Sequence, residues 1–214
     1  MSKVGWLKTA DGLQLEMELG LDPKDGEKFS GVAVVCHPHP GFGGDMHNAV
    51  VRSLASAAWE EGFVPLLFNF RGTGRSEGTQ SGGVKEVDDV DAAMSHAKKL
   101  AKDGCVILMG YSFGAKVATT WLNDGGRANA FVGVAVPSTT DYPDYKDIPS
   151  LYITGEFDDV APLDDGLSRS LMTGGLHVVV EGSDHFFHRG RDEIQEAVQG
   201  FINITCPIDG RGSE

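Results

Sequence analysis

Cys105–Leu122 reads CVILMGYSFGAKVATTWL. The first five residues are apolar without alternation, the mark of a strand buried on both faces. Phe113–Leu122 has Ala115, Ala118, Trp121 and Leu122 at helical spacing, so a helix is expected there. Between the two, Gly110 and Gly114 flank Ser112, and glycine at both sides suits a bend where backbones crowd. A buried strand that feeds a helix through a tight turn is the repeating unit of a wound parallel sheet.

The same alternation continues in both directions. Upstream, Val32–Cys36 and Phe63–Phe70 read as buried strands. Ala49, Val50, Leu54, Ala58 and Trp59 mark a helix stopped by Gly62, and Val84, Val87, Val90, Met94, Ala97 and Ala101 mark a second one ended by Gly104. Downstream, strands are expected at Phe131–Val136, Leu151–Thr154 and Leu176–Val180, with a closing helix over Arg191–Ile202. Val4–Thr9 and Leu13–Leu19, separated by Ala10-Asp11-Gly12, form an antiparallel hairpin at one edge. The expected architecture is α/β: a doubly wound, mostly parallel sheet of about eight strands, the last six parallel. One domain is expected over 1–206, with 207–214 a disordered tail.

Composition narrows the function. With 31 acidic against 18 basic side chains in 214 residues, the formal net charge is −13. That field repels nucleic acid and anionic membrane surfaces, so neither is an expected partner. No run approaches eighteen consecutive apolar residues, and MSKVGWLKTADG lacks the apolar core of a signal peptide. Cys36, Cys105 and Cys206 are odd in number and far apart in sequence, which suits reduced thiols and a cytoplasmic location.

Gly-x-Ser-x-Gly occurs twice, as Gly74–Gly78 around Ser76 and as Gly110–Gly114 around Ser112. A serine nucleophile needs a buried strand to deliver it and a helix N-terminus to face the developing oxyanion. Ser112 has both; Ser76 lies between FNFRGT and GTQSGG, loop followed by loop, and reads as a solvated turn residue. A hydroxyl also needs a base, and the base an orienting acid, each on a loop after a strand. Only His177, His185 and His188 follow Ser112. His177 lies within a strand; His185 stands in the loop EGSDHFFHRG, with His188 its rival. The acid lies in SLYITGEFDDVAP, where Asp158 leads Asp159 and Glu156.

GYSFG, GEFDDVAP and GSDHFF, in this order, resemble the α/β-hydrolase superfamily. HPHPGFGGDMHN and FNFRGTGRSEG are similar to a narrower group of small, lidless hydrolases related to the dienelactone-hydrolase-like branch. The resemblance runs from Val32 to Phe187 and implies Ser112 as nucleophile, Asp158 as acid and His185 as base. Dienelactone hydrolases carry cysteine at the elbow, so serine here departs from their pattern.

An oxyanion hole is expected from the Phe113 N–H and from the loop His37–Gly44. Pro38 and Pro40 have no N–H, which leaves His39, Gly41 or Phe42, with Gly41 and His39 favoured. Phe42, Tyr111 and Arg71 are the candidate substrate contacts; Arg71 and Arg75 follow a strand, where they either meet a substrate carboxylate or, the reading favoured for an exposed arginine in so acidic a chain, pair with some of its 31 acids. Tyr142 and Tyr145 are candidates for the rim. His37, His39, Asp45 and His47 raise a metal alternative, but an H-x-H-x-D-H signature would put the aspartate two residues after the second histidine rather than six. No metal or cofactor is expected.

Only fourteen residues, PSTTDYPDYKDIPS, separate two of the strands where capped relatives insert helices, so an open site is expected. The resulting expectation is a serine hydrolase that cleaves small carboxylic esters through an acyl-enzyme. The alternatives are a non-catalytic scaffold of the same fold and a metal-dependent hydrolase using His37, His39 and His47.

Overall fold

A computed structural model describes residues 2–20 and 29–207. Of the expected tail over 207–214, residues 208–214 lie outside the described residues. Along the chain the elements are β1 (Ser2–Lys8), β2 (Gln14–Gly20), β3 (Gly31–Cys36), α1 (Ala49–Glu60), β4 (Phe63–Phe68), α2 (Glu86–Ala101), β5 (Cys105–Tyr111), α3 (Phe113–Asn123), β6 (Ala130–Val134), β7 (Ser150–Gly155), α4 (Leu163–Thr173), β8 (Leu176–Val180) and α5 (Arg191–Thr205).

The eight strands form one sheet in the order β1-β2-β4-β3-β5-β6-β7-β8. β1 and β2 are an antiparallel hairpin, and β2 joins β4 antiparallel. From β3 to β8 every pairing is parallel. The parallel part begins with β3, winds outward to β4 and returns across β3 to β5. The ends of β3 and β5 therefore lie side by side, with Cys36 paired to Gly110. That edge of the sheet is where loops from several strands converge.

Period-two alternation sorts each central strand between two cores. Val32, Val34 and Cys36 of β3, with Val106 and Leu108 of β5, pack beneath α2 and α3. Ala33 and Val35, with Ile107 and Met109, pack beneath α1 and α5. Because both faces are covered, β3 and β5 read as unbroken apolar runs. β8 is the contrasting edge, with Leu176 and Val179 exposed. At the far end of α5, Cys206 hydrogen-bonds the Cys105 thiol, and burial pushes its own pKa up to about 12. The three cysteines are free thiols.

Apart from shifts of a few residues at several element ends, one helix start and one whole helix differ from the sequence expectation. α2 starts at Glu86 rather than Val84, whose side chain is exposed. Glu86 caps the preceding loop instead, its carboxylate accepting from the Ser81 and Gly83 N–H groups at 2.7 and 2.9 Å. α4 was not anticipated at all. Its buried residues are Gly166, Arg169 and Ser170, while Leu167, Leu171 and Met172 face outward, so it has no apolar stripe to read.

Candidate active site

Ser112 stands where β5 passes into α3, with φ 51° and ψ −116°, a strained backbone for a residue with a Cβ. The strain is imposed by packing on both sides. The Ser112 N–H donates to the Val134 carbonyl at 2.9 Å, anchoring the turn to β6. Gly114 explains the second glycine of the motif: a Cβ there would stand 2.3 Å from the Cys36 carbonyl oxygen. Only the bare backbone lets α3 start this close to β3.

The loop after β8 brings His185 to this turn. Its Nε2 lies 2.9 Å from Ser112 Oγ. Its Nδ1 lies 3.0 and 2.9 Å from the two carboxylate oxygens of Asp158. An ionised carboxylate only accepts, so Nδ1 carries the proton and Nε2 presents its lone pair to the serine hydroxyl. The Asp158 side chain is fully buried, and its Oδ1 also accepts from the Val160 and Ala161 N–H groups at 2.9 and 2.7 Å. Those bonds lock the carboxylate in the turn after β7.

The rival residues are placed elsewhere. Asp159 is exposed. Glu156 accepts from the Gly182 N–H at 2.8 Å and ties the acid-bearing loop to the histidine-bearing one. Gly155 allows the same approach, since a Cβ there would stand 2.6 Å from the Ser183 carbonyl oxygen. His188 is exposed and stacks on Phe186; His177 bonds Thr154 Oγ1 within the sheet. Ser76, expected as a solvated turn residue, is instead buried: its hydroxyl donates to the Asn69 carbonyl at 2.6 Å and accepts from the Glu16 N–H at 2.9 Å.

A cleft of about 520 Å³ opens beside Ser112, walled by His39, Phe42, Tyr111, Phe113, Lys116 and Phe186 among others. Phe42 and Phe186 stand exposed at its mouth. The β6–β7 connection, residues 135–149, carries no helix, so no cap covers it. Tyr111, expected as a substrate contact, lines the cleft, and its hydroxyl also donates to the His185 carbonyl at 2.7 Å, holding the histidine loop in place.

The loop after β3 makes one 3-10 turn over Pro40–Phe42. His39 Nδ1 accepts from the Gly41 N–H at 2.9 Å, and the His39 carbonyl accepts from Phe42 and Gly44. The Gly41 N–H expected for an oxyanion hole is therefore engaged. Among the described residues the His39 N–H has no recorded partner, nor does that of Phe113. His37 is buried: its Nδ1–H donates to the Pro38 carbonyl at 2.7 Å and its Nε2 accepts from the Phe70 N–H at 3.0 Å. Burial holds its pKa down to about 4, so the ring is neutral and braces the loop. With both nitrogens used, His37 has no lone pair for a metal, and the three-histidine alternative loses a ligand. His47 Nδ1 faces Arg52 Nη2 at 2.7 Å on the surface, away from it.

Arg71 corrects another expectation. Its guanidinium is nearly sealed from solvent and is absent from the cleft. Nε and Nη2 donate to Asp89 Oδ1 at 2.9 and 2.6 Å, and Nη1 donates to Asp11 at 3.0 Å. A guanidinium committed this fully to carboxylates of α2 and the β1–β2 turn is a structural clamp, not a substrate contact. Arg75 pairs with Glu16 and lies over Trp6. Tyr145 is buried against the Tyr152 hydroxyl, and Tyr142 bonds Asp165, so neither forms the rim.

Arg169 and Lys116 had no signal in the sequence. Arg169 is buried in α4 and donates to the Thr140 and Asp141 carbonyls at 2.7 and 2.9 Å, fixing the loop that supplies Pro137 and Thr139 to the cleft. Lys116 lines the cleft from α3.

Residues 29–162 match the family model described as serine aminopeptidase, S33. The chain belongs to that family, and it is a hydrolase of the lidless α/β type. A homologue of α/β serine hydrolases from Coxiella burnetii is 30% identical, covers 92% of this chain and 96% of its own, and superposes with a TM-score of 0.80. An α/β serine hydrolase without lid from Xanthomonas campestris is 27% identical, covers 97% and 96%, and gives a TM-score of 0.83. An uncharacterized protein of Rickettsia prowazekii is 29% identical over 80% of this chain and 78% of its own. No helix among the described residues is long and apolar enough to cross a membrane.

Proposed function

We propose that the protein hydrolyses small carboxylic esters through an acyl-enzyme, with Ser112 as nucleophile, His185 as general base and Asp158 as the orienting acid. The observation that carries this reading is the unbroken chain Ser112 Oγ–His185 Nε2–His185 Nδ1–Asp158, with every step between 2.9 and 3.0 Å. His185 accepts the hydroxyl proton as Oγ bonds to the carbonyl carbon, and Asp158 stabilises the imidazolium. The carbonyl oxygen, now an alkoxide, accepts from the Phe113 and His39 N–H groups. Collapse expels the alcohol, which takes the proton from His185. Water then repeats the sequence on the acyl-enzyme and releases the acid.

The cleft favours an ester over a peptide with a free amino terminus. An α-ammonium group is read by a carboxylate, and among the described residues no Asp or Glu lines the cleft. An uncovered, mostly apolar cleft takes small or extended acyl groups. Hydrolysis of p-nitrophenyl acetate tests the reading. Wild type turns it over, and Ser112→Ala lowers kcat by on the order of 10⁵-fold with the fold intact. Retained turnover in that variant defeats the assignment.

A further inference from the structure

The cleft differs in charge from the rest of the molecule. Acidic side chains outnumber basic ones 31 to 18 in the chain, yet among the described residues no Asp or Glu lines the cleft and Lys116 is the one Lys or Arg that does. The Lys116 N–H donates to the Ser112 carbonyl at 3.0 Å, so it stands one helical turn behind the serine. Its side chain is half-buried, and no carboxylate among the described residues pairs with it. Glu86, in the neighbouring segment, is occupied by Ser81 and Gly83.

Lys116 lines the cleft beside Gly82 and Phe113. A Cβ at Gly83 would stand 3.6 Å from Phe113 Cε2 and 3.9 Å from Lys116 Cε, so the lysine stem runs beside Phe113 along this turn. A Cβ at Gly82, which lines the cleft, would meet nothing within 4 Å. Direction follows from the chemistry. His185 must return its proton to the leaving oxygen, so the alcohol lies on the His185 side, where the ring neighbours are Tyr111 and Phe186. The acyl chain then points the other way, past Phe113 toward Lys116.

We propose that Lys116 selects esters whose acyl chain ends in a carboxylate, monoesters of short dicarboxylic acids, by pairing its ammonium with that carboxylate. The inference rests on the ester-hydrolase reading above. A half-buried ammonium that no carboxylate among the described residues pairs with gains a charge-assisted bond from such a substrate.

The test compares the p-nitrophenyl monoester of glutaric acid with p-nitrophenyl 5-methylhexanoate, its neutral isostere. The ratio of their kcat/KM values is expected to fall about 10-fold in Lys116→Met, the loss of one charge-assisted bond. Lys116→Arg is expected to keep most of the ratio, and added salt to lower it in wild type. A ratio equal in wild type and Lys116→Met overturns the proposal. Failure of wild type to cleave either ester defeats the ester reading instead, and a binding measurement then decides the role of Lys116. By calorimetry, Ser112→Ala is expected to bind monomethyl glutarate, and Lys116→Met added to it to weaken that binding about 10-fold. No binding, or equal binding, overturns the proposal.

Discussion

Two turns in this chain share the pattern Gly-x-Ser-x-Gly, and the sheet uses them in opposite ways. At Gly110–Gly114 the serine sits at φ 51° on a strand-to-helix bend, and its hydroxyl faces His185 at 2.9 Å. At Gly74–Gly78 the serine hydroxyl is spent on backbone, donating to Asn69 and accepting from Glu16. The first turn leaves a hydroxyl reachable from a cleft; the second sews β2 to the loop after β4. The motif specifies a tight turn around a small polar residue. What the hydroxyl does is set by what stands opposite it.

Substitutions at the two turns should therefore separate catalysis from stability. The largest effect belongs to Ser112→Ala, the on the order of 10⁵-fold loss in ester turnover, with an unchanged unfolding midpoint in urea. Gly114→Ala is next. The new Cβ presses on the Cys36 and His37 backbone, so Ser112 shifts relative to His185, and kcat should drop about 10²-fold. A Gly114→Ala enzyme with wild-type kcat would show that the tight start of α3 does not position the nucleophile. Ser76→Ala should behave inversely. It strands a buried carbonyl and a buried N–H at a cost of about 1–3 kcal/mol in denaturant unfolding, while kcat of the folded enzyme stays at the wild-type value. Loss of kcat without loss of stability at Ser76 would erase the contrast.

A further expected effect is graded with pH. His37 is neutral in the folded protein, its pKa lowered by burial to about 4 against 6.5 unfolded. Its contribution is full above pH 6.5 and is lost as the pH falls toward 4, because the unfolded chain then binds the proton first. Over that window unfolding free energy should fall by about 3 kcal/mol. His37→Gln should flatten the slope. Glu18, held below 4.5 by Arg52, contributes its own loss only at lower pH. Activity should also fall in acid, since a protonated His185 cannot accept the serine proton.

The legible parts of the molecule are those with local physical causes. β3 and β5 announce themselves as unbroken apolar runs because both of their faces are covered. The order Ser112, Asp158, His185 follows from strands that all deliver their loops to one edge. Other features depend on distant partners. Three carboxylates lie within four positions after β7, and only the approach of the β8–α5 loop shows that Asp158 meets His185 while Glu156 meets Gly182. Sequence suggests that Arg71 pairs with an acid, but only α2 shows that the acid is Asp89, and only β2 shows that Ser76 meets the Glu16 N–H. Gly41 reads as a donor until the His39 ring takes its N–H. α4 is silent because its inner face is polar, with buried Arg169 binding carbonyls rather than packing on an apolar stripe.

Reaction with a fluorophosphonate, followed by mass spectrometry of the intact chain and of its peptides, tests the assignment of the nucleophile most directly. One adduct per chain is predicted, on the peptide carrying Ser112, with none formed in Ser112→Ala. An adduct on Ser76, or one that persists in Ser112→Ala, would contradict it.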